Sequence, residues 1–170
     1  EFQGSTILAY YSFNYSVGEL LSAQVDGGWG TLNTAGNTEP VIAEGSLYYP
    51  MLEPALGNKV TFDGDGTEVA KTFESQSTDG TTVYFSFVFQ VTNMDAITST
   101  DGAHFAGFAT GSSTYGCGVY LKWDGVAGSN KFYIGHAARS TSSAVVSYTE
   151  NTYDINTPLL IVGSYEIVPD

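Results

Sequence analysis

The stretch that most constrains the fold of this chain is TTVYFSFVFQVT, residues 81–92. Its apolar residues fall on every second position, which is the two-residue period of a β-strand and not the period of a helix. The odd-numbered side chains are therefore expected to pack inward: Val83, Phe85, Phe87, Phe89 and Val91. The role of the opposite side is an open question, because it carries Tyr84, Ser86, Val88 and Gln90.

Similar short runs recur along the chain, separated by Gly, Asp, Asn and Ser clusters that favour turns. The sequence contains 20 glycines and is only 14% charged, and residues that favour helix are sparse. This pattern predicts an all-β fold, a two-sheet antiparallel sandwich. Strands are predicted near 6–13, 41–49, 58–62, 68–74, 81–92, 103–110, 116–123, 131–137, 144–149 and 158–167. One or two helical turns are predicted at 17–24, and KWDGVAGSNKFYIG at 122–135 predicts a hairpin.

With 170 residues, we expect one domain spanning 1–170. The net charge of −13 makes nucleic acid and anionic lipid unfavourable partners, because both need clustered cations. The longest apolar stretch, PLLIVGSYEIV, is too short to cross a bilayer as a helix. Cys117 is the only cysteine, so the chain cannot form an internal disulfide, and the thiol is expected to pack as a small apolar group.

The order of the strand and turn patterns resembles that of LamG-like, concanavalin A-like jelly-roll modules from exported bacterial proteins. The similarity covers most of the chain and rests on these segments: ILAYYSFNYSVGELL, GNKVTF, TTVYFSFVFQVTN, HFAGFATG, GVYLKWDG and NKFYIGHAARS.

The resemblance implies two stacked antiparallel sheets, a concave ligand-binding face, and an association with polysaccharide-degrading or adhesive proteins. It also implies an extracellular or cell-surface location, with any signal peptide already removed. Family members usually continue beyond the segment that corresponds to LLIVGSYEIV. Two explanations are considered for this difference: the sequence is a fragment of a longer chain, which we favour, or a strand from a partner or another copy completes the sheet.

Residues suited to catalysis are sparse. The chain lacks the Glu-x-Asp-x-x-Glu strand of jelly-roll glucanases. It also has a single arginine, Arg139, where jelly-roll alginate lyases have an Arg-rich strand. His104 and His136 are possible general bases, but neither has a carboxylate at short spacing. We therefore expect no enzymatic activity, with a polysaccharide lyase or hydrolase kept as the third alternative.

The segment TFDGDGTE is the best candidate for a metal site. Asp63, Asp65 and Glu68 offer carboxylate oxygens around flexible glycines, and this chemistry suits Ca²⁺. The spacing does not match an EF-hand loop, and a plain acidic turn is the alternative interpretation.

Strand alternation also predicts a ligand surface. If Val119, Leu121 and Trp123 point inward, then Tyr120 and Lys122 point to the opposite side. The same argument applied to NKFYIGHA predicts that Tyr133 points outward. The predicted glycan-binding set is Tyr84, Gln90, Tyr120, Lys122 and Tyr133, with Trp29 in DGGWGTLN as a further aromatic platform.

Flat aromatic rings stack on the apolar faces of sugars, while Gln and Lys side chains can bond to hydroxyl groups. The leading hypothesis is therefore a non-catalytic carbohydrate-binding or adhesion module of an extracellular bacterial protein, with a polysaccharide or glycan as its partner. The alternative is a structural subunit of an extracellular assembly or surface layer that is completed by strand donation.

Overall fold

The computed structural model describes residues 6–34, 38–64, 66–94, 101–111, 114–139 and 145–168. Within these ranges there are eleven β-strands and two single-turn 3-10 helices. Every ladder between the strands is antiparallel. The predicted all-β antiparallel class is confirmed, and the arrangement is compatible with a β-sandwich.

The chain divides into two compact units. The N-terminal unit comprises Glu1–Ser46 and Leu52–Ser77, and the C-terminal unit comprises Leu47–Met51 and Thr78–Asp170. The single-domain expectation stays a prediction, and each unit is described by itself.

The N-terminal unit is built from short strands that pair two by two. Its 3-10 helices are Leu21–Ala23 and Val25–Gly27, and its strands are β1 (Trp29–Asn33), β2 (Val41–Ala43), β3 (Lys59–Thr61) and β4 (Glu68–Lys71). Strand β1 pairs with β4, and β2 pairs with β3. Ile42 in β2 is only 1% exposed and, with the buried Leu21, forms the best-covered part of this unit.

The sequence predicted this unit less well than the other. The strand predicted at 6–13 is wrong, because the described residues of that segment form no ladder. The backbone of Phe13 has a positive φ of 50°, which ends any extended run there. Strand β1 was missed because glycines flank and interrupt WGTLN, a pattern that resembles a turn. The helix predicted at 17–24 is present only as the 3-10 turns at Leu21–Ala23 and Val25–Gly27.

The C-terminal unit contains longer strands. They are β5 (Thr82–Phe89), β6 (Ala103–Ala109), β7 (Tyr115–Trp123), β8 (Lys131–Arg139), β9 (Ser147–Tyr148), β10 (Tyr153–Asp154) and β11 (Leu159–Glu166). One sheet has the order β10-β8-β7-β6, and β9 also pairs with β8. A second sheet consists of β5 and β11, paired over eight residues from Thr82↔Glu166 to Phe89↔Leu159.

Phenylalanines from β5 pack against the larger sheet. The rings of Phe85 and Phe108 meet edge to face with centroids 5.3 Å apart, and those of Phe87 and Phe105 meet at 6.0 Å. The ring centroids of Phe89 and Phe105 are 5.2 Å apart, and the Phe89 ring also packs against the fully buried Phe132. The inward packing predicted for this strand is confirmed for Phe85, Phe87, Phe89 and Val91, which pack with Phe105, Phe108, Leu121 and Phe132.

The predicted hairpin is present between β7 and β8, with Trp123 opposite Phe132. Its loop is ordered by Asp124, whose carboxylate accepts bonds from the Val126 amide at 2.9 Å and the Ser129 hydroxyl at 2.7 Å. Gly125, Gly128 and Asn130 all have positive φ. Glycine and asparagine tolerate this conformation, so local sequence determines the turn.

Helices long and apolar enough to cross a bilayer are absent from the described residues.

Candidate functional site

The larger sheet of the C-terminal unit has one face covered by the β5 phenylalanines and an opposite face that carries tyrosines. We call the latter the tyrosine face and define it by Tyr120, Lys122, Tyr133, Tyr148 and His104. Antiparallel partners lie on the same side of a sheet, so the register fixes this grouping. Tyr120 is opposite both His104 and Gly135, Gly135 is opposite Tyr148, and Lys122 is opposite Tyr133.

Glycines lie beneath two of these rings. A Cβ atom added to Gly135 would come within 2.5 Å of the Tyr148 ring, and one added to Gly118 would come within 3.0 Å of the Tyr120 ring. A ring that lies over a glycine rests close to the backbone instead of standing upright on the sheet. The two glycines therefore make room for tyrosines laid along the surface, and both rings are only half-buried.

Lys122 holds its ammonium group over two aromatic rings. Its Nζ lies 4.2 Å from the centroid of the Tyr148 ring and 5.2 Å from that of Tyr133. Both distances lie within the range of a cation–π interaction, which is worth about 0.5–1 kcal/mol at exposed sites. Gly135 pairs with Tyr120 on one side and with Tyr148 on the other. Because Gly135 has no side chain, nothing at this position separates Lys122 from the Tyr148 ring.

The hydroxyl group of Tyr148 is hydrogen-bonded and remains protonated. It donates a bond of 3.0 Å to the backbone carbonyl of Asp101. Burial raises the pKa of Tyr148, and the nearby charges of Tyr120 and Asp101 raise it further. This phenol therefore stays neutral at physiological pH. The ring of His104 completes the surface, 5.4 Å from that of Tyr120 and 4.9 Å from that of Tyr115.

The structure brings together only part of the predicted ligand set. Tyr120, Lys122 and Tyr133 share the tyrosine face, as the strand alternation predicted. Tyr84 belongs to the β5–β11 sheet, where it pairs with Ser164 and is 62% exposed on the side away from the phenylalanines. Gln90 follows the end of β5 and is half-buried. These two residues do not join the others, because β5 pairs with β11 and not with β7.

Sequence reasoning missed Tyr148 as a member of this face. The strand predicted at 144–149 is present only as Ser147–Tyr148. The pairing of β9 with β8 places the Tyr148 ring beside Lys122. The nearest sequence signal is the glycine in YIGHA, whose missing side chain makes room for a neighbouring ring.

Trp29, the other predicted platform, lies in an aromatic cluster of the N-terminal unit. Its ring centroid is 5.1 Å from that of Tyr11, which it meets edge to face, and 5.7 Å from that of Phe13. Lys71 approaches the same cluster, with its Nζ 3.9 Å from the Tyr11 ring centroid and 2.7 Å from the Tyr11 hydroxyl oxygen. Both Lys71 and the Tyr11 hydroxyl donate to the carbonyl oxygen of Gly27. Trp29 is thus packed among neighbours, and its indole is half-buried.

Two tyrosines of this cluster have shifted acidities of opposite sign. The hydrogen bond from Lys71 is the main reason that the pKa of Tyr11 is lowered. Burial, which is the largest cause, and the neighbouring Tyr11 together raise the pKa of Tyr15 to about 12. A Cβ atom on Gly27 would overlap the Tyr15 hydroxyl, so this glycine is needed for the ring to fit.

The predicted calcium site is described only in part. The Asp63 carboxylate accepts a 2.6 Å bond from the Thr38 hydroxyl, and Glu68 begins strand β4. Asp65 lies outside the described residues. Across the ranges that the structure describes, His, Cys, Asp and Glu form no cluster of three suited to a metal ion. The Ca²⁺ site stays a prediction.

An open cleft of about 480 Å³ lies beside β11, and its lining includes Tyr148 of the tyrosine face together with Gly118 and Gly135. Its lining also includes Phe85, Ile161, Cys117 and His136. Burial raises the pKa of the Cys117 thiol, which keeps it protonated and unreactive as a nucleophile. The described lining contains no carboxylate that would orient His136 as a base.

Comparison with known proteins yields no match, since no family model, no curated protein and no solved structure is significantly similar to this chain.

Proposed function

We propose that this protein is a non-catalytic carbohydrate-binding module, with the tyrosine face as its glycan-binding surface. Tyr120, Tyr133 and Tyr148 present half-buried rings to the ligand, and Lys122 donates hydrogen bonds to its hydroxyl or acidic groups. The ligand is a polysaccharide or glycan, and the protein acts in carbohydrate binding or adhesion at the cell surface or outside the cell.

The observation that carries this proposal is the placement of two tyrosine rings over glycines. Sugars bind aromatic side chains by laying an apolar face against the ring, so a binding ring must leave one of its own faces open. Gly118 and Gly135 lie under Tyr120 and Tyr148 and let the rings lie along the sheet. A tyrosine whose side chain extends from a strand into solvent does not require a neighbouring glycine to make room for its ring.

The test is binding to a panel of soluble and insoluble polysaccharides, followed by titration of any that bind. Tyr133→Ala is the first variant, because the contact of its ring on this face is with Lys122 and not with the core. Loss of one stacking ring is expected to weaken binding about tenfold, which corresponds to about 1.4 kcal/mol.

Tyr84→Ala is the matched control. It removes the same type of side chain from an exposed strand position of the same unit, but from the other sheet. Unchanged binding by Tyr84→Ala together with weakened binding by Tyr133→Ala supports the tyrosine face. Equal losses in both variants, or a folded protein that binds nothing in the panel, would contradict the proposal.

A second candidate function is assembly through strand addition. Within the described residues, β5 and β11 pair only with each other, so each has an outer edge without a strand partner. Such edges accept a strand from another chain. Analytical ultracentrifugation over a range of protein concentrations tests this function, and a monomer at the highest concentration would argue against self-assembly.

A further inference from the structure

We infer that the tyrosine face selects glycans that carry an acidic sugar, and that Lys122 is the residue that recognises the carboxylate. This inference rests on the proposed function and names its ligand class. Its basis is a difference between Lys122 and the other three lysines, all of which the structure describes.

The other lysines already donate hydrogen bonds to protein oxygens. Lys59 donates to the carbonyl of Glu44, and Lys71 donates to Tyr11 and to the carbonyl of Gly27. Lys131 forms a 2.6 Å ion pair with Asp154. Among the described residues, Lys122 alone of the four has neither a carboxylate within 4.0 Å nor an oxygen that accepts its N–H groups.

Lys122 is nevertheless held in place. Two tyrosine rings fix its Nζ at 4.2 and 5.2 Å from their centroids without using any of its three N–H donors. A lysine that is already positioned loses less conformational entropy on binding than a freely moving one. The site therefore combines an oriented cation, three available donors and aromatic rings suited to a sugar.

A carboxylate complements this arrangement better than a neutral hydroxyl group does. Hydrogen bonds between an ammonium and a carboxylate are shorter and roughly twice as strong as bonds between neutral groups. The C-terminal unit is also the less acidic of the two units. It contains eight acidic and three basic residues, whereas the N-terminal unit contains ten acidic and two basic residues. The excess of acid still opposes densely charged polymers, so the favoured ligand carries carboxylates on an otherwise neutral sugar chain.

The experiment uses the full chain and three acidic polysaccharides with different uronic acids: polygalacturonate, alginate and a glucuronic acid-substituted xylan. Each is compared with its carboxyl-reduced form, which keeps the linkages and replaces each carboxylate by an alcohol. Binding is measured by calorimetry at 150 mM salt. The glucuronic acid-substituted xylan, whose carboxylates lie on an otherwise neutral chain, is expected to bind about tenfold more tightly than its reduced counterpart.

Lys122→Met is expected to weaken binding of the acidic form about tenfold more than binding of its reduced form, so that the preference is lost, and Lys122→Arg is expected to retain the preference. Lys131→Met is the matched control, because it removes a lysine from the same sheet that is already paired with Asp154. Circular dichroism checks that each variant is folded.

The outcomes separate this inference from the function on which it rests. Equal binding of acidic and reduced forms, or an equal loss for both in Lys122→Met, overturns the acidic preference and leaves glycan binding standing. Binding only to neutral polysaccharides does the same. Absence of binding to all six polymers overturns the inference. If the protein also binds none of the neutral polysaccharides in the panel described under Proposed function, the proposed function is overturned as well.

Discussion

Each unit of this protein lays one lysine against tyrosine rings, yet the two lysines are in different chemical environments. In the N-terminal unit, Lys71 bonds to the Tyr11 hydroxyl and to the backbone carbonyl of Gly27. Among the described residues of the C-terminal unit, the Lys122 ammonium lies over the Tyr133 and Tyr148 rings and donates to no protein oxygen. The first arrangement satisfies the ammonium within the fold, and the second leaves its donors available to a ligand.

Tyrosine and lysine in proximity therefore do not by themselves define a binding surface. What distinguishes the two clusters is whether the hydrogen-bond donors of the cation are already used. Substitutions in the two clusters are therefore expected to affect different properties: stability in the N-terminal cluster and ligand binding in the C-terminal one.

The largest effect is expected from a change in the core beneath the tyrosine face. Phe132 is fully buried, so Phe132→Ala should lower the free energy of unfolding of the C-terminal unit by about 3–5 kcal/mol. The two tryptophans report on the two units separately, with Trp29 in one and Trp123 in the other. Urea denaturation of Trp29→Phe and Trp123→Phe backgrounds gives one signal for each unit.

If the units unfold separately, Phe132→Ala shifts the Trp123 transition and leaves the Trp29 transition in place. An equal shift of both transitions would mean that the two units unfold as one cooperative body, and that the comparison describes two regions of a single unit.

The next largest effect is expected when the two lysines are exchanged for methionine in turn. Lys71→Met removes hydrogen bonds from a charged donor in a half-buried site, so it should cost about 1–2 kcal/mol of stability. Lys122→Met removes only ring contacts of a half-buried side chain and should cost less than about 1 kcal/mol. Urea denaturation measures both, and equal costs would remove the distinction between the two clusters.

A smaller effect is expected in the hairpin that supports the tyrosine face. Asp124→Ala removes the acceptor for the Val126 amide and the Ser129 hydroxyl, so a loss of about 0.5–1.5 kcal/mol is expected. Asp124→Asn keeps an acceptor oxygen and is the control, with little expected change. A loss of the same size in both variants would show that charge, and not the hydrogen-bond pattern, stabilises the loop.

The smallest net effect is expected from alkaline pH on the N-terminal unit. The pKa of Tyr15 is raised to about 12, so its contribution to stability is full below about pH 10 and is lost as the pH rises through 12. The pKa of Tyr11 is lowered, so its contribution is present above about pH 10 and is lost as the pH falls through its folded value. The two contributions oppose each other.

Ultraviolet difference titration of the phenols checks these assignments. Tyr15→Phe should remove the phenol that ionises last, and Tyr11→Phe should remove one that ionises early. Because Tyr11 helps to raise the pKa of Tyr15, Tyr11→Phe should also bring the Tyr15 ionisation closer to its ordinary range. A titration unchanged by either substitution would contradict the hydrogen-bonded arrangement of these residues.

The predictability of the fold differs between the two units for a physical reason. In the C-terminal unit, the strands predicted at 81–92, 103–110, 116–123, 131–137 and 158–167 are present with small changes at their ends. Their side chains alternate over seven to nine residues, long enough for a sheet period to be evident. In the N-terminal unit the strands have three to five residues, and packing of Tyr11 and Phe13 on Trp29 replaces the strand predicted at 6–13.

The side of each long strand that a residue faces follows from the sequence alone, because successive Cβ atoms point to opposite sides of any strand. It also determined the turn between β7 and β8, where Gly125 and Asn130 adopt the positive φ that their residue types tolerate. Which outward-facing residues share a surface depends on the pairing of strands in the folded protein. The pairing of β5 with β11 separates Tyr84 from Tyr120, and the pairing of β9 with β8 brings Tyr148 to Lys122. The direction in which a side chain points is a local property of the backbone. The choice of strand partner depends on hydrogen bonds and buried surface contributed by residues far apart in the chain.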